Sequence, residues 1–72
     1  MNSDPKIRKE LGDRIRTARE KAKLTQAEVA EKAGINVSYY AFIERGEVDT
    51  SISKLEKISK AIGVKSSDLL PF

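Results

Sequence analysis

The chain reads as an all-α protein of five short helices, and three observations predict this. Apolar residues return at helical spacing along successive stretches, no stretch alternates as a strand would, and Pro, Gly or capping residues punctuate the gaps. The best-defined stretch is residues 26–45, QAEVAEKAGINVSYYAFIER, which has the pattern of two crossed helices. Val29, Ala30 and Ala33 form one apolar stripe, and Ala30 must be small where the helices cross. Gly34 stops the first helix in a conformation that a side chain resists, and Ile35, Tyr40 and Ile43 take up the next apolar face.

Each element has its own signals. Ser3 or Asp4 caps the first helix and Pro5 takes its first position, where a missing N–H costs nothing. This helix runs to about residue 22, with Ile7, Leu11, Ile15, Ala18 and Ala22 as its buried stripe and Lys6, Arg8, Lys9, Arg14, Arg16 and Lys21 mainly outside it. Thr25 caps the second helix, Glu28 completes a capping box three residues on, and Leu24 staples to Val29. Asn36 caps the third, which ends near Gly46. Thr50 or Ser51 starts the fourth, with Ile52, Leu55, Ile58 and Ile62 inward and Gly63 at its end. A last turn begins at Ser66, Ser67 and Asp68 and runs through Leu69 and Leu70, where Pro71 prevents continuation.

At 72 residues the sequence predicts a single domain over 1–72 with one small core, self-sufficient or shared with a partner chain. A hydrophobic share of 39% and a charged share of 35%, with no apolar run of membrane-spanning length, fit neither a membrane span nor wholesale disorder. There is no Cys and no His, which removes disulfides, thiolate nucleophiles, zinc fingers and the imidazole base, and is compatible with a cytoplasmic protein. The acids are scattered on polar helix faces, without a Gly-rich phosphate loop or a paired-carboxylate spacing. The expected protein is therefore not an enzyme. A helix-turn-helix presents the start of its second helix to solvent, and a helix about 10–12 Å wide fits a DNA major groove about 12 Å wide. That points to DNA.

Residues 11–70 resemble the Cro/cI-like, or Xre, family of helix-turn-helix regulators. The segments LGDRIRTARE, LTQAEVAEKAGI, IERG and AIGV carry the resemblance, in this order and spacing. It implies a compact five-helix bundle of the lambda-repressor-like DNA-binding type, operator binding as a homodimer with the third helix as reader, and no cofactor. Gln26 matches the Gln that holds a phosphate at the positive end of the second helix; periodicity alone would leave it a solvated first-turn residue. Arg19 and Glu44 match a pair joining helices one and three, which implies a largely buried salt bridge.

By the same resemblance the DNA-facing residues at the tip are Asn36, which caps it, and Val37 and Ser38, which contact bases, with Phe42 one turn later and Ala41 beside it. Relatives often place Gln, Arg or Lys at such positions, whereas here only Ser38 donates or accepts a hydrogen bond. Val37 and Phe42 would press on thymine methyls instead, giving a shallow A·T preference with DNA shape supplying the rest. Phe42 has two other readings, as a peripheral core residue or as a protein contact. Tyr39 offers its hydroxyl to a phosphate, while Tyr40 enters the core.

The chain departs from the family after the third helix, where Glu47, Val48 and Asp49 stand in place of basic residues. Residues 1–23 hold eight Lys or Arg against four acids, net +4, and residues 24–72 hold six against seven, net −1. Arg45 and Lys32 remain near the expected DNA face, with Lys6, Lys9 or Arg16 able to reach flanking backbone. So few phosphate contacts give weak binding by one subunit, and two subunits spaced by about 34–36 Å would read an inverted repeat. Leu69, Leu70 and Phe72 place the dimer contact at the C-terminal end, with Leu69 or Leu70 tucked into the core and Phe72 facing the partner. The reading from another class is a protein-interaction module, antitoxin-like or a coregulator, that uses Val37, Tyr39 and Phe42 as an apolar patch.

Overall fold

The computed structural model describes residues 4–72. It contains α1 (Pro5–Lys21), α2 (Gln26–Ala33), α3 (Val37–Glu44), α4 (Ile52–Ile62) and α5 (Ser66–Leu69), with no strand among the described residues. The expected caps form. The Asp4 carboxylate accepts the Lys6 N–H at 2.9 Å, with Pro5 next to it; Ser3, the other candidate, lies outside the described residues. Thr25 and Glu28 make both halves of a capping box, at 3.1 and 2.8 Å. Asn36 Oδ1 accepts from the N–H groups of Ser38 and Tyr39. Of the two candidates at α4, Ser51 is the cap and Thr50 is buried.

One core holds the helices together: Leu11 and Ile15 from α1, Val29, Ala30 and Ala33 from α2, Tyr40 and Ile43 from α3, Leu55, Ile58 and Ile62 from α4, and Leu69 from α5. Helix α2 lies between α3 and α4, α1 crosses α3 and reaches α5, and α5 packs back on α4. Because Tyr40 and Ile43 turn inward with Glu44, the opposite face of the short helix α3 is left outward. That is how the core fixes the direction of the candidate site.

Three expectations need correction. Ile52, expected inward, is 68% exposed. It shares the buried face of α4, so the helical period is right, but it is the first residue of the helix and projects past the packed turns. Ala22 is exposed and ends α1 as its C-cap, because the chain turns sharply at Lys23 (φ 60°), whose N–H bonds back to Glu20 while that of Leu24 bonds to Arg19. Leu70 is extended and half-buried instead of helical, and Leu69 is the one that enters the core.

Two close approaches hold α1 against α3. Gly12 sits inside α1, where glycine costs about 1 kcal/mol relative to alanine. A Cβ there would meet the backbone of the facing helix, 2.6 Å from the Ile43 carbonyl oxygen and nearer still to that of Glu44. Gly46 combines a left-handed backbone (φ 73°) with a position where a Cβ would lie 2.7 Å from the Lys9 Cα, and its carbonyl accepts the Arg8 Nε at 3.2 Å.

Candidate nucleic-acid interface

Helix α3 separates two kinds of side chain. On its inner side, Glu44 accepts two hydrogen bonds from the Arg19 guanidinium, from Nε at 2.7 Å and from Nη2 at 3.1 Å. Arg19 also donates Nη1 to the Leu24 carbonyl at 2.9 Å, and Gln26 donates its amide Nε2 to Glu44 at 3.0 Å. The Arg19 and Glu44 side chains are only 13% and 2% exposed. Burial pushes the Glu44 carboxyl upward, but the hydrogen bonds from Arg19 and Gln26, with the Tyr40 hydroxyl nearby, outweigh it and hold the pKa below the usual carboxylate value. The hydrogen bond to Glu44 in turn raises Arg19, against the effect of burial. Tyr40 fills the core beside them, and burial followed by the Glu44 carboxylate drives its phenol well upward, although its oxygen makes no well-formed hydrogen bond.

The outer side carries the expected readers. Val37 and Phe42 are 43% and 41% exposed, Ser38 is exposed and Ala41 half-buried. Residues 38, 42 and 45, and likewise 37, 41 and 45, follow at three- and four-residue steps, so they form one stripe along the helix. Asn36 stands at the tip, with Oδ1 engaged in capping. At the other end the Arg45 guanidinium carbon lies 4.8 Å from the centre of the Phe42 ring, and Arg45 Nε is 3.3 Å from Glu47 Oε1.

Two site residues are held in ways that periodicity did not foresee. Gln26 is tied to Glu44, which leaves its second amide hydrogen and its backbone N–H for any contact outside the fold. Tyr39 is half-buried and donates its hydroxyl proton to the Asp49 carbonyl at 3.0 Å, while the Lys54 ammonium lies 5.4 Å from its ring centre. A hydrogen bond from Tyr39 to a phosphate would therefore require that bond to open. The pairing of Glu47 with Arg45 was legible only as a missing base. Its signal was Gly46: a left-handed residue after a helix folds the chain back, and the Glu47 N–H duly bonds to the Phe42 carbonyl at 3.0 Å.

The sequence profile of the helix-turn-helix family matches residues 15–69. The chain belongs to the Xre, or Cro/cI-like, helix-turn-helix family. The immunity repressor protein of Bacillus phage phi105 is 42% identical to it over 60 residues, which cover 83% of this chain and 42% of the repressor. The chain thus spans less than half the length of that relative. Control protein C.BamHI of Bacillus amyloliquefaciens is 39% identical over 67 residues, covering 92% of this chain and 83% of the control protein. The crystal structure of the restriction-modification controller protein C.AhdI from Aeromonas hydrophila superposes with a TM-score of 0.84 at 27% identity, over 86% of this chain and 94% of that one. As a member of the Xre family the chain is a DNA-binding helix-turn-helix transcriptional regulator. Among the described residues no helix is long and apolar enough to cross a membrane.

Proposed function

We propose that the chain binds an inverted-repeat operator in double-stranded DNA as a homodimer, with α3 in the major groove, and so excludes or recruits polymerase in the cytoplasm. The observation that carries this reading is the outward stripe of α3. Val37, Ser38, Ala41, Phe42 and Arg45 share one side of a helix whose other side is fixed by Tyr40, Ile43 and Glu44. Val37 and Ser38 approach base edges, and Ser38 is the polar reader. Gln26 reaches a phosphate with its backbone N–H at the start of α2 and its remaining amide hydrogen, and Arg45 reaches another. Tyr39 serves this face through the 47–49 segment that it holds. Phe72, 81% exposed, and the half-buried Leu70 are the apolar groups offered to the second subunit.

Selection from a randomised duplex pool, repeated at several salt concentrations, tests the proposal. Enrichment of an inverted repeat, with affinity falling steeply as salt rises, is the expected result. The exposed apolar residues Val37 and Phe42, with Glu47 at the Phe42 end of the helix, favour one rival, a protein-interaction module. No enrichment at low salt and high protein concentration would overturn the operator reading and turn the search to a protein partner.

A further inference from the structure

We propose that Glu47 is a built-in competitor for the DNA phosphate contact of Arg45, and that Phe42 is the platform that holds Arg45 at that contact instead of a base reader. The inference rests on the reading of α3 as the DNA-binding helix and names how that face is tuned.

The geometry is set by the end of the helix. Arg45 is the C-cap of α3 and lies three residues after Phe42, so both project from one face. Gly46 then turns the chain with φ 73°, its N–H bonding to the Ile43 carbonyl and that of Glu47 to the Phe42 carbonyl, both at 3.0 Å. This closure fixes the Glu47 backbone against the last turn of α3 and delivers its carboxylate to Arg45 Nε. The guanidinium is therefore held by the ring face at 4.8 Å and the carboxylate at 3.3 Å. A guanidinium presents several donors in one plane and matches a phosphate as well as a carboxylate, so the two anions compete for the same donor edge. The Arg45 and Glu47 side chains are 52% and 51% exposed, which makes their contact weak enough to be displaced by a phosphate. The ring attraction needs no acid, so it keeps Arg45 in place while its anionic partner changes.

The test measures duplex affinity for wild type, Glu47→Gln, Arg45→Ala, Phe42→Leu, Phe42→Tyr and the double variants, on the selected site and on unrelated duplex, with helicity checked by circular dichroism. Glu47→Gln should tighten binding about two- to fivefold on both duplexes at low salt, the range that corresponds to releasing one exposed ion pair. The gain should shrink as salt rises, because a screened carboxylate competes less. In the Arg45→Ala background it should largely vanish. Phe42→Leu should weaken binding equally on both duplexes, Phe42→Tyr should restore it, and Phe42→Leu should add little to Arg45→Ala.

An equal gain from Glu47→Gln with and without Arg45 would overturn the competitor, since Glu47 would then act only through net charge. A changed base preference in Phe42→Leu that is additive with Arg45→Ala would overturn the platform. If wild type binds no duplex at all, the function itself fails and this inference with it, whereas normal wild-type binding with an unresponsive Glu47→Gln removes the inference alone.

Discussion

Glu44 and Arg45 are neighbours in sequence, and each is half of an Arg–Glu ion pair, yet the two pairs belong to different physical regimes. The Arg19–Glu44 pair is bidentate, with side chains 13% and 2% exposed, and draws in Gln26 and the Leu24 carbonyl. The Arg45–Glu47 pair is a single longer contact, about half exposed on both sides. A buried pair cannot lose one partner without stranding a charge, whereas an exposed one is replaced by water at little cost. The same chemistry therefore locks α1 to α3 on one side of the helix and leaves an exchangeable contact on the other.

The largest effect separates the two pairs directly. Arg19→Met should cost about 3–5 kcal/mol, because Glu44 is left buried and unpaired. Arg45→Met should change stability by no more than about 0.5 kcal/mol. Urea unfolding checks both, and equal losses would erase the distinction. Replacing Arg19 and Glu44 together by Met should recover much of the loss, since the penalty lies in the orphaned charge more than in the missing attraction.

The next effect tests the packing that brings the buried pair together. Gly12→Ala places a methyl group against the Ile43 and Glu44 carbonyls and should cost about 1–3 kcal/mol by forcing α1 away from α3. The loss should appear in thermal unfolding as a downward shift. A neutral result would mean that the two helices can separate without disturbing Arg19 and Glu44.

Acid should act on the inner side of α3 more gently, because a protonated carboxyl still accepts hydrogen bonds. The folded pKa of Glu44 is lowered, so its contribution is present above the unfolded value near 4.5 and disappears as pH falls through the folded value. Glu28, held down by the backbone and side chain of Thr25, adds a loss of the same sign. Tyr40 works at the other limb: its raised pKa favours the fold below the unfolded value near 10, and that contribution is lost as pH rises beyond it. Stability measured against pH should therefore fall at both ends, and Glu44→Gln should flatten the acid limb without abolishing it. An unchanged acid limb in Glu44→Gln would contradict the role given to this carboxylate.

How much of this was readable depends on range. Caps and helix ends at Thr25, Glu28, Gly34, Asn36 and Gly63 are local, so their residue types announce them. The core stripe was legible by period, but Ile52 shows that period does not say where a neighbouring helix stops. Arg19–Glu44 spans 25 residues and came only through the family resemblance. Gly12, Tyr39–Asp49 and the Arg45–Glu47 contact depend on how close two backbones come or which way a short segment folds. Composition and spacing do not carry that information, although a glycine inside a helix was itself a hint.

The smallest effect concerns the turn that feeds the buried pair. Lys23 adopts a left-handed backbone (φ 60°) between α1 and α2, a conformation that costs a side-chain-bearing residue about 1–2 kcal/mol. The turn persists because it returns two N–H groups to α1 and points the Leu24 carbonyl at Arg19 Nη1. Lys23→Gly removes the steric cost while loosening the unfolded chain, and the two together should leave a gain of about 0.5–1 kcal/mol. For a domain of this size that is a rise of several degrees in Tm. The DNA affinity should not follow, since the exposed Arg45–Glu47 contact does not depend on this turn. A variant that is more stable but also binds DNA differently would show that the inner and outer sides of α3 are coupled.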